Sequence, residues 1–302
     1  MVRTVHPIAL ILLTLLCLDI SFVAIAQDDE DDNSKSIRAE RFVKGRPADK
    51  TATSGVYRRV AKPPNEGSAS VRAKGMDLAQ LGVTVWRFRP SVSADKTKEL
   101  VEEEEGRSSE WTLERVEEGT PLTPGQRVRL SIESLSRNGY LYVIDREGYA
   151  DHTLGDPVLI FPTQKSAATN YVQAGRLIYI PSATGRFRIK PSESSKEHVA
   201  EVLTLIVSPT PLFRADQLGQ TRTPLARAQI EEWEKRWDAV AWKFELDGGA
   251  GQAMTPAEQV AARQNAALLK QNDPAPQTVF QIATKPSEPL MVTVPLRFAN
   301  RN

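Results

Sequence analysis

The 302-residue chain has one cysteine, Cys17, and it lies in the first apolar run. A disulfide framework and a cysteine-based metal site are thereby excluded for everything downstream. Histidine is nearly as scarce, with three in the chain. Beyond the leader, nucleophilic catalysis that borrows a base from histidine has only His152 and His198 to use. No G-x-S-x-G elbow, glycine-rich phosphate loop or dinucleotide fingerprint occurs. Neither sign of charge is in excess: 39 Lys and Arg face 38 Asp and Glu, for a net charge of +1. That balance argues against a dedicated nucleic-acid binder.

What the N-terminus does have is an export signal. Arg3 supplies a positive start, residues 8–18 are apolar apart from Thr14, and Ala24-Ile25-Ala26 offers small residues at a cleavage site. The run is too short to span a bilayer, Asp19 interrupts it, and no transmembrane segment is expected after cleavage. Leu16 before Cys17 does not suit lipoprotein processing. Residues 1–26 are therefore read as a signal peptide, and the protein as exported to the periplasm or the medium.

Residues 27–80 are expected to be a disordered charged tether. The segment opens with the acidic residues 28–32. From Lys35 to Lys74 it then holds eleven Lys or Arg against Glu40, Asp49 and Glu66. Its few large apolar residues follow neither a period of 2 nor one of 3.6, so burial does not offset the entropy of ordering.

From residue 81 to 302 a single β-rich domain is expected, of antiparallel sandwich type with two amphipathic helices near its end. In GVTVWRFRP, Val83 and Val85 share one face and Trp86 and Phe88 the other. WTLERVEEG reads as the next strand, after a solvated loop carrying Glu102–Glu105. In RVRLSIE, Val128, Leu130 and Ile132 alternate with Arg127, Arg129, Ser131 and Glu133, the pattern of a half-buried strand. Asn138-Gly139 is a hairpin signal, and YLYVI, apolar on both faces, reads as a central strand. Further strands are expected at 158–161, 176–180, 186–189 and 199–207, spaced by turns as in a sandwich. Thr223-Pro224 is expected to start a helix with Leu225, Ile230, Trp233, Trp237 and Val240 on one face. Thr255-Pro256-Ala257-Glu258 is a capping box for a second helix reaching Leu268. In LMVTVPLRF, Leu290, Val292, Val294, Leu296 and Phe298 share a face, and Pro295 marks an edge strand.

The stretch LTPGQRVRLSIESLSRNGYLYVIDREG, continuing through VLIFPTQKSAATNYVQAGRLIYIPSATGRFRI to VLTLIVSPTPL, resembles the bacterial family catalogued as domain of unknown function 4384. The likeness covers about residues 110–212 and rests on the strand after LTPG, NGYLYVI, Gly148, IFPT, the 170–175 turn and SPTP. It implies an exported or multidomain bacterial protein and assigns no activity. Residues 213–302 read as an extension of that core.

No catalytic, cofactor or metal residue stands out. His152 reads as a solvated loop residue, and His198 as a surface residue at the start of a strand. Asp145, Glu147, Asp151 and Asp156 are oxygen donors in one loop, but their spacing is not that of an EF-hand and turn formation explains them. Trp233 and Trp237, one helical turn apart, and Tyr140 and Tyr142 read as core; Trp111 is the ring expected to be exposed. The leading expectation is an exported binding or scaffolding domain with a protein or polysaccharide partner in the cell envelope. A secreted carboxylate-type hydrolase would instead need paired acids in a deep cleft with one raised pKa. A structural envelope component would assemble through the Pro295 edge or the helices. Expressed with its leader in a bacterium, the exported chain is expected to begin at Gln27 by N-terminal sequencing; a membrane-held chain keeping residues 1–26 would overturn the signal assignment.

Overall fold

The computed structural model describes residues 36–47, 55–61, 77–102, 107–117, 119–189, 194–237, 239, 241–263 and 268–299; the signal expected over 1–26 lies outside them. In chain order come β1 (Ser36–Arg38), two 3-10 turns (Ala39–Arg41 and Val43–Gly45) and β2 (Val56–Ala61). Next are β3 (Asp77–Pro90), β4 (Glu99–Glu102), β5 (Ser108–Val116) and β6 (Arg127–Ser134). β7 (Gly139–Tyr149), β8 (Val158–Phe161), β9 (Tyr171–Val172), β10 (Leu177–Ile180), β11 (Phe187–Arg188) and β12 (His198–Ser208) follow. The chain continues with β13 (Thr223–Pro224), α1 (Arg227–Arg236), β14 (Ala241–Leu246), α2 (Pro256–Arg263), β15 (Thr278–Thr284) and β16 (Leu290–Arg297).

Two antiparallel sheets make a sandwich-like core, of ten and six strands. In the larger sheet the long strand β3 is the spine. Residues 77–83 pair with β15 and 85–90 with β5, while 81–87 pair with β6. Residues 81–83 and 85–87 are paired on both sides, so β15 and β5 share one edge of β3 and β6 takes the other. The smaller sheet runs β13-β8-β7-β12-β16. β7 is central, as its two apolar faces require: Leu141 and Val143 face the other sheet, and Tyr142 and Ile144 face outward. β16 lies at the edge, where Pro295 removes no ladder donor that a neighbour needs. Between the sheets Leu81, Val83, Leu130 and Ile132 meet Leu141, Leu205, Val292 and Val294.

The outer faces are covered too. α1 lays Ile230, Trp233 and Trp237 over the outer side of β7, β8 and β12. On the larger sheet, Trp86, Phe88 and Tyr179 lie under Met254, Ala261, Ala262 and Leu269. Further along, Tyr57, Phe244 and Val279 lie under Ala39, Phe42 and Val43.

These last residues correct the tether expectation, because 36–47 and 55–61 are folded. Phe42 and Tyr57 are each at most 1% exposed, with rings 5.0 Å apart. β2 pairs with β14 as an integral strand. A segment with few apolar residues folds here because a polar residue anchors it. Arg46 donates to Glu133 through Nε at 2.7 Å and Nη2 at 2.6 Å, and its guanidinium also reaches the carbonyls of Lys270, Asp273 and Pro274. Both side chains are fully buried.

That pair also corrects the reading of β6 as half-exposed: all eight of its residues are buried. Its polar face is covered and matched one group at a time. The Arg127 guanidinium lies 4.6 Å from the centre of the Trp111 ring, and Arg129 forms two 2.8 Å bonds to Glu99. Ser131 accepts from the indole N–H of Trp86 at 2.9 Å, and Glu133 takes Arg46. Trp111, expected to be exposed, is half-buried as a result.

Three local expectations change. Asn138-Gly139 is not a hairpin, since β6 and β7 belong to different sheets and residues 135–138 cross between them. Gly139 is needed for close approach: a Cβ there would lie 2.7 Å from the carbonyl oxygen of Ser208. Thr223-Pro224 pairs with β8 instead of opening a helix. The Thr223 hydroxyl takes the N–H of Gly219 at 2.8 Å, and α1 begins at Arg227. The capping box of α2 forms, with Thr255 and Glu258 bonded reciprocally, but the described helix stops at Arg263 and Leu268 bridges to Arg176. Val240 and residues 103–105 lie outside the described residues, and Glu102 closes β4.

Glu133→Ala leaves the Arg46 guanidinium buried without its counter-charge. It is expected to lower stability by about 3–5 kcal/mol in urea unfolding followed by tryptophan fluorescence. Arg46→Met combined with Glu133→Leu is expected to recover most of that loss. A single-variant loss below about 1 kcal/mol, the size of a surface pair, would show that the anchor does not hold the segment.

Candidate functional site

At the end of the sandwich where β10 and β11 face β8 and β12, the sheets part around a cleft of about 740 Å³. Ile160, Phe161 and Leu203 wall it from the smaller sheet, and Val128, Ile178 and Phe187 from the larger. Lys165, Gln220 and Arg222 line it from exposed loop positions.

Two carboxyls enter this apolar space from neighbouring strands. Strand alternation places Asp145 on the inner face with Leu141 and Val143, and Glu201 there with Leu203 and Leu205. Asp145 pairs with Leu203 and Glu201 with Glu147, so the two are diagonal neighbours on one face. Each carboxyl raises the proton affinity of the other, an arrangement that favours one proton held between them. Burial, then the facing Asp145 and Glu147, push the Glu201 carboxyl up to about 9. Burial also raises Asp145, partly offset by its hydrogen bond with Glu201. The pair thus holds a proton more tightly than a free carboxyl does, and titrates as a unit.

Behind the pair stand Glu147, which accepts the Tyr149 hydroxyl at 2.6 Å, and His198. His198 is not the surface residue expected at the head of β12. Its side chain is 5% exposed, and its ring sits edge-on to Phe298 at 4.7 Å. A bulge between His198 and Ala200 shifts the register, so that His198 pairs with Tyr149 and turns onto the face of Glu201. Nε2 of His198 lies 2.9 Å from the Ala200 carbonyl and 3.6 Å from Glu201.

The four acids of the 145–156 loop do not converge. Asp145 enters the cleft and Glu147 takes Tyr149. Asp151 accepts from Thr153 and from Lys196 at 2.9 Å, and its hydrogen bonds with Thr153 and Lys196 hold it below the usual carboxylate range. Asp156 pairs with Arg227 at 2.8 Å. Among the described residues no group of three or more His, Cys, Asp or Glu is placed to hold a metal ion. His152 is exposed in its loop with a φ of 63°. Tyr142 is core, and Tyr140 is half-buried against Tyr171. Trp233 and Trp237 stack at 5.0 Å against the outer core.

Glu201 and Arg222 were not singled out from the sequence. The available signal was an acid at an inward position of an apolar strand, which Glu201 shares with Asp145. Comparisons with protein-family models, curated proteins and solved structures returned no match.

A carboxyl with a higher pKa in the folded than in the unfolded state binds extra protons when folded, so stability falls as pH rises toward the folded value. Wild-type thermal stability is therefore expected to decline from about pH 5 to about pH 9. Glu201→Gln is expected to flatten that decline and to be the more stable protein at the alkaline end, by melting curves across the range. Parallel curves for the two proteins would show that the pair does not carry the shared proton.

Proposed function

We propose that this protein is an exported binding domain of the cell envelope whose ligand occupies the cleft between the two sheets. The observation that carries it is the cleft itself. At about 740 Å³ it falls within the size of small-ligand sites, roughly 300–1,000 Å³. Its composition fits as well: aliphatic and aromatic walls, a few convergent polar groups, and charged loops at the mouth. A short peptide or saccharide segment of an envelope polymer is the class of ligand that fits this size. Export rests on the leader at residues 1–26. Among the described residues no helix is long and apolar enough to cross a membrane.

One observation favours a second reading, a carboxylate hydrolase: Asp145 and Glu201 meet inside the cleft with raised pKa values. Glycosidases hold their two carboxyls about 5–9.5 Å apart with water or substrate between them, whereas these two are diagonal neighbours on adjacent strands that compete for one proton. The hydrolytic form left is a pair sharing one proton, in the manner of acid proteases. Binding is preferred because the cleft is lined chiefly by apolar walls, the lining of a binding site.

The test is a thermal-shift panel of soluble envelope fragments, peptides and oligosaccharides, against wild type and against Thr169→Trp and Ile178→Trp, which fill the cleft. A ligand at a hundred times its Kd stabilises by about 2.7 kcal/mol. The expected result is a shift in wild type that both variants lose. A shift that both variants keep, or none in any protein, rejects the cleft as the binding site. Cleavage products in the same incubations would establish the hydrolase instead.

A further inference from the structure

Among the described residues the four buried glutamates come with their own cations. Glu133 has Arg46, Glu258 has Arg115, Glu114 has Arg87 and Arg89, and Glu245 has Lys243 at 3.6 Å. Asp145 and Glu201, half-buried at the cleft, have none. Neither forms an ion pair with a lysine or arginine among the described residues, and Oδ1 of Asp145 and Oε2 of Glu201 are buried without a hydrogen bond, the Nε2 of His198 standing off Oε2 at 3.6 Å. Two facing carboxylates without a cation are unfavourable in a low-dielectric site. Something positive must stand between them, either a proton or a group from outside. Because both line an open cleft with apolar walls, an outside group can reach them.

We propose that Asp145 and Glu201 are the seat for a cationic group of the ligand, a primary ammonium or guanidinium carried on an apolar stem. The proposal rests on the cleft being the binding site and adds the chemistry it selects. The ammonium donates to both carboxylates as their shared proton leaves to solvent. The stem lies along Ile160, Phe161, Ile178 and Phe187. An inorganic cation suits the site less well, since among the described residues no third acid is placed with the pair to ligate it.

The surrounding charges are compatible. Glu147 faces the pair from β7 and adds negative charge, while Tyr149 bonds it. His198 faces Glu201 from within β12. Arg222 acts on Asp145 only at a distance, from an exposed position at the mouth. Lys165 and Arg188 line the outer part of the cleft and Tyr179 its far wall. The basic groups near the mouth suit a ligand that carries an anionic or polar end opposite its cation.

The experiment is isothermal calorimetry with hexylamine, Nα-acetyl-lysine amide and uncharged hexanol, in phosphate and in Tris. For both amines the expected result is binding with release of up to one proton per ligand. Affinity should rise with pH by up to about tenfold per unit between neutrality and about pH 9, while hexanol binds at least about tenfold more weakly. The isosteric double variant Asp145→Asn with Glu201→Gln is expected to lose both the amine preference and the proton release. Equal binding of hexylamine and hexanol, lost in Ile178→Trp, would overturn the cation seat and leave the cleft reading standing. Failure of both amines to bind, while an envelope fragment still shifts the melting curve, would overturn it in the same way.

Discussion

The bidentate pair between Arg46 and Glu133 is the interaction on which the outer layer of the larger sheet depends. Glu133 is fully buried on β6, and an isolated carboxylate there would cost far more than the few kcal/mol by which a domain of this kind is stable. The 36–47 segment must therefore dock if β6 is to stay covered. Docking then brings Ala39, Phe42 and Val43 down onto Tyr57 and Phe244. The same guanidinium takes three carbonyls from 270–274, so one side chain joins the N-terminal segment, β6 of the large sheet and the loop before β15. Replacing such a pair by apolar residues is often neutral. What the pair supplies is the choice of which segment covers β6 and in which register.

The rest of the polar face of β6 follows the same rule, and so does α2. Glu258 is both the capping residue at the start of that helix and the partner of buried Arg115, which also lies 5.2 Å from the centre of the Trp86 ring. Satisfying buried charges in pairs is how this fold, without a disulfide, orders long loops around a β core. Against that background the unmatched pair in the cleft stands out. A site that folding leaves short of one positive charge is less stable than it need be, and such deficits are where function resides.

Much of the fold was legible because period-2 patterns report which residues share a face. Val83 and Val85 part from Trp86 and Phe88 as their alternation requires, and the capping box at Thr255 and Pro295 at an edge are read correctly. Alternation does not report what lies over a polar face. Arg127, Arg129 and Glu133 look solvated in sequence because their covers come from residues 46, 99 and 111, a long-range fact with no local signature. Asn138-Gly139 misleads for a related reason: a tight turn says that the chain reverses, not which sheet it enters. His198 was misplaced because a single bulge flips every side chain beyond it to the other face.

The cleft pair was half legible. Counting by twos from Leu141 through Val143 puts Asp145 inward, and counting back from Leu205 through Leu203 does the same for Glu201. Each alone is an acid at the end of an apolar strand, where a turn is the simplest account. Only the antiparallel register of β7 and β12 makes them diagonal neighbours, and only the separation of the sheets at that end keeps them from being sealed in. Closer sheets would have forced an arginine or a permanent proton onto the pair. Wider ones would have hydrated it and returned both groups to ordinary carboxylates. The intermediate spacing holds a pair that is buried enough to need a counter-charge and open to the cleft, so the gap between β10–β11 and β8–β12 is the dimension on which the proposed site depends.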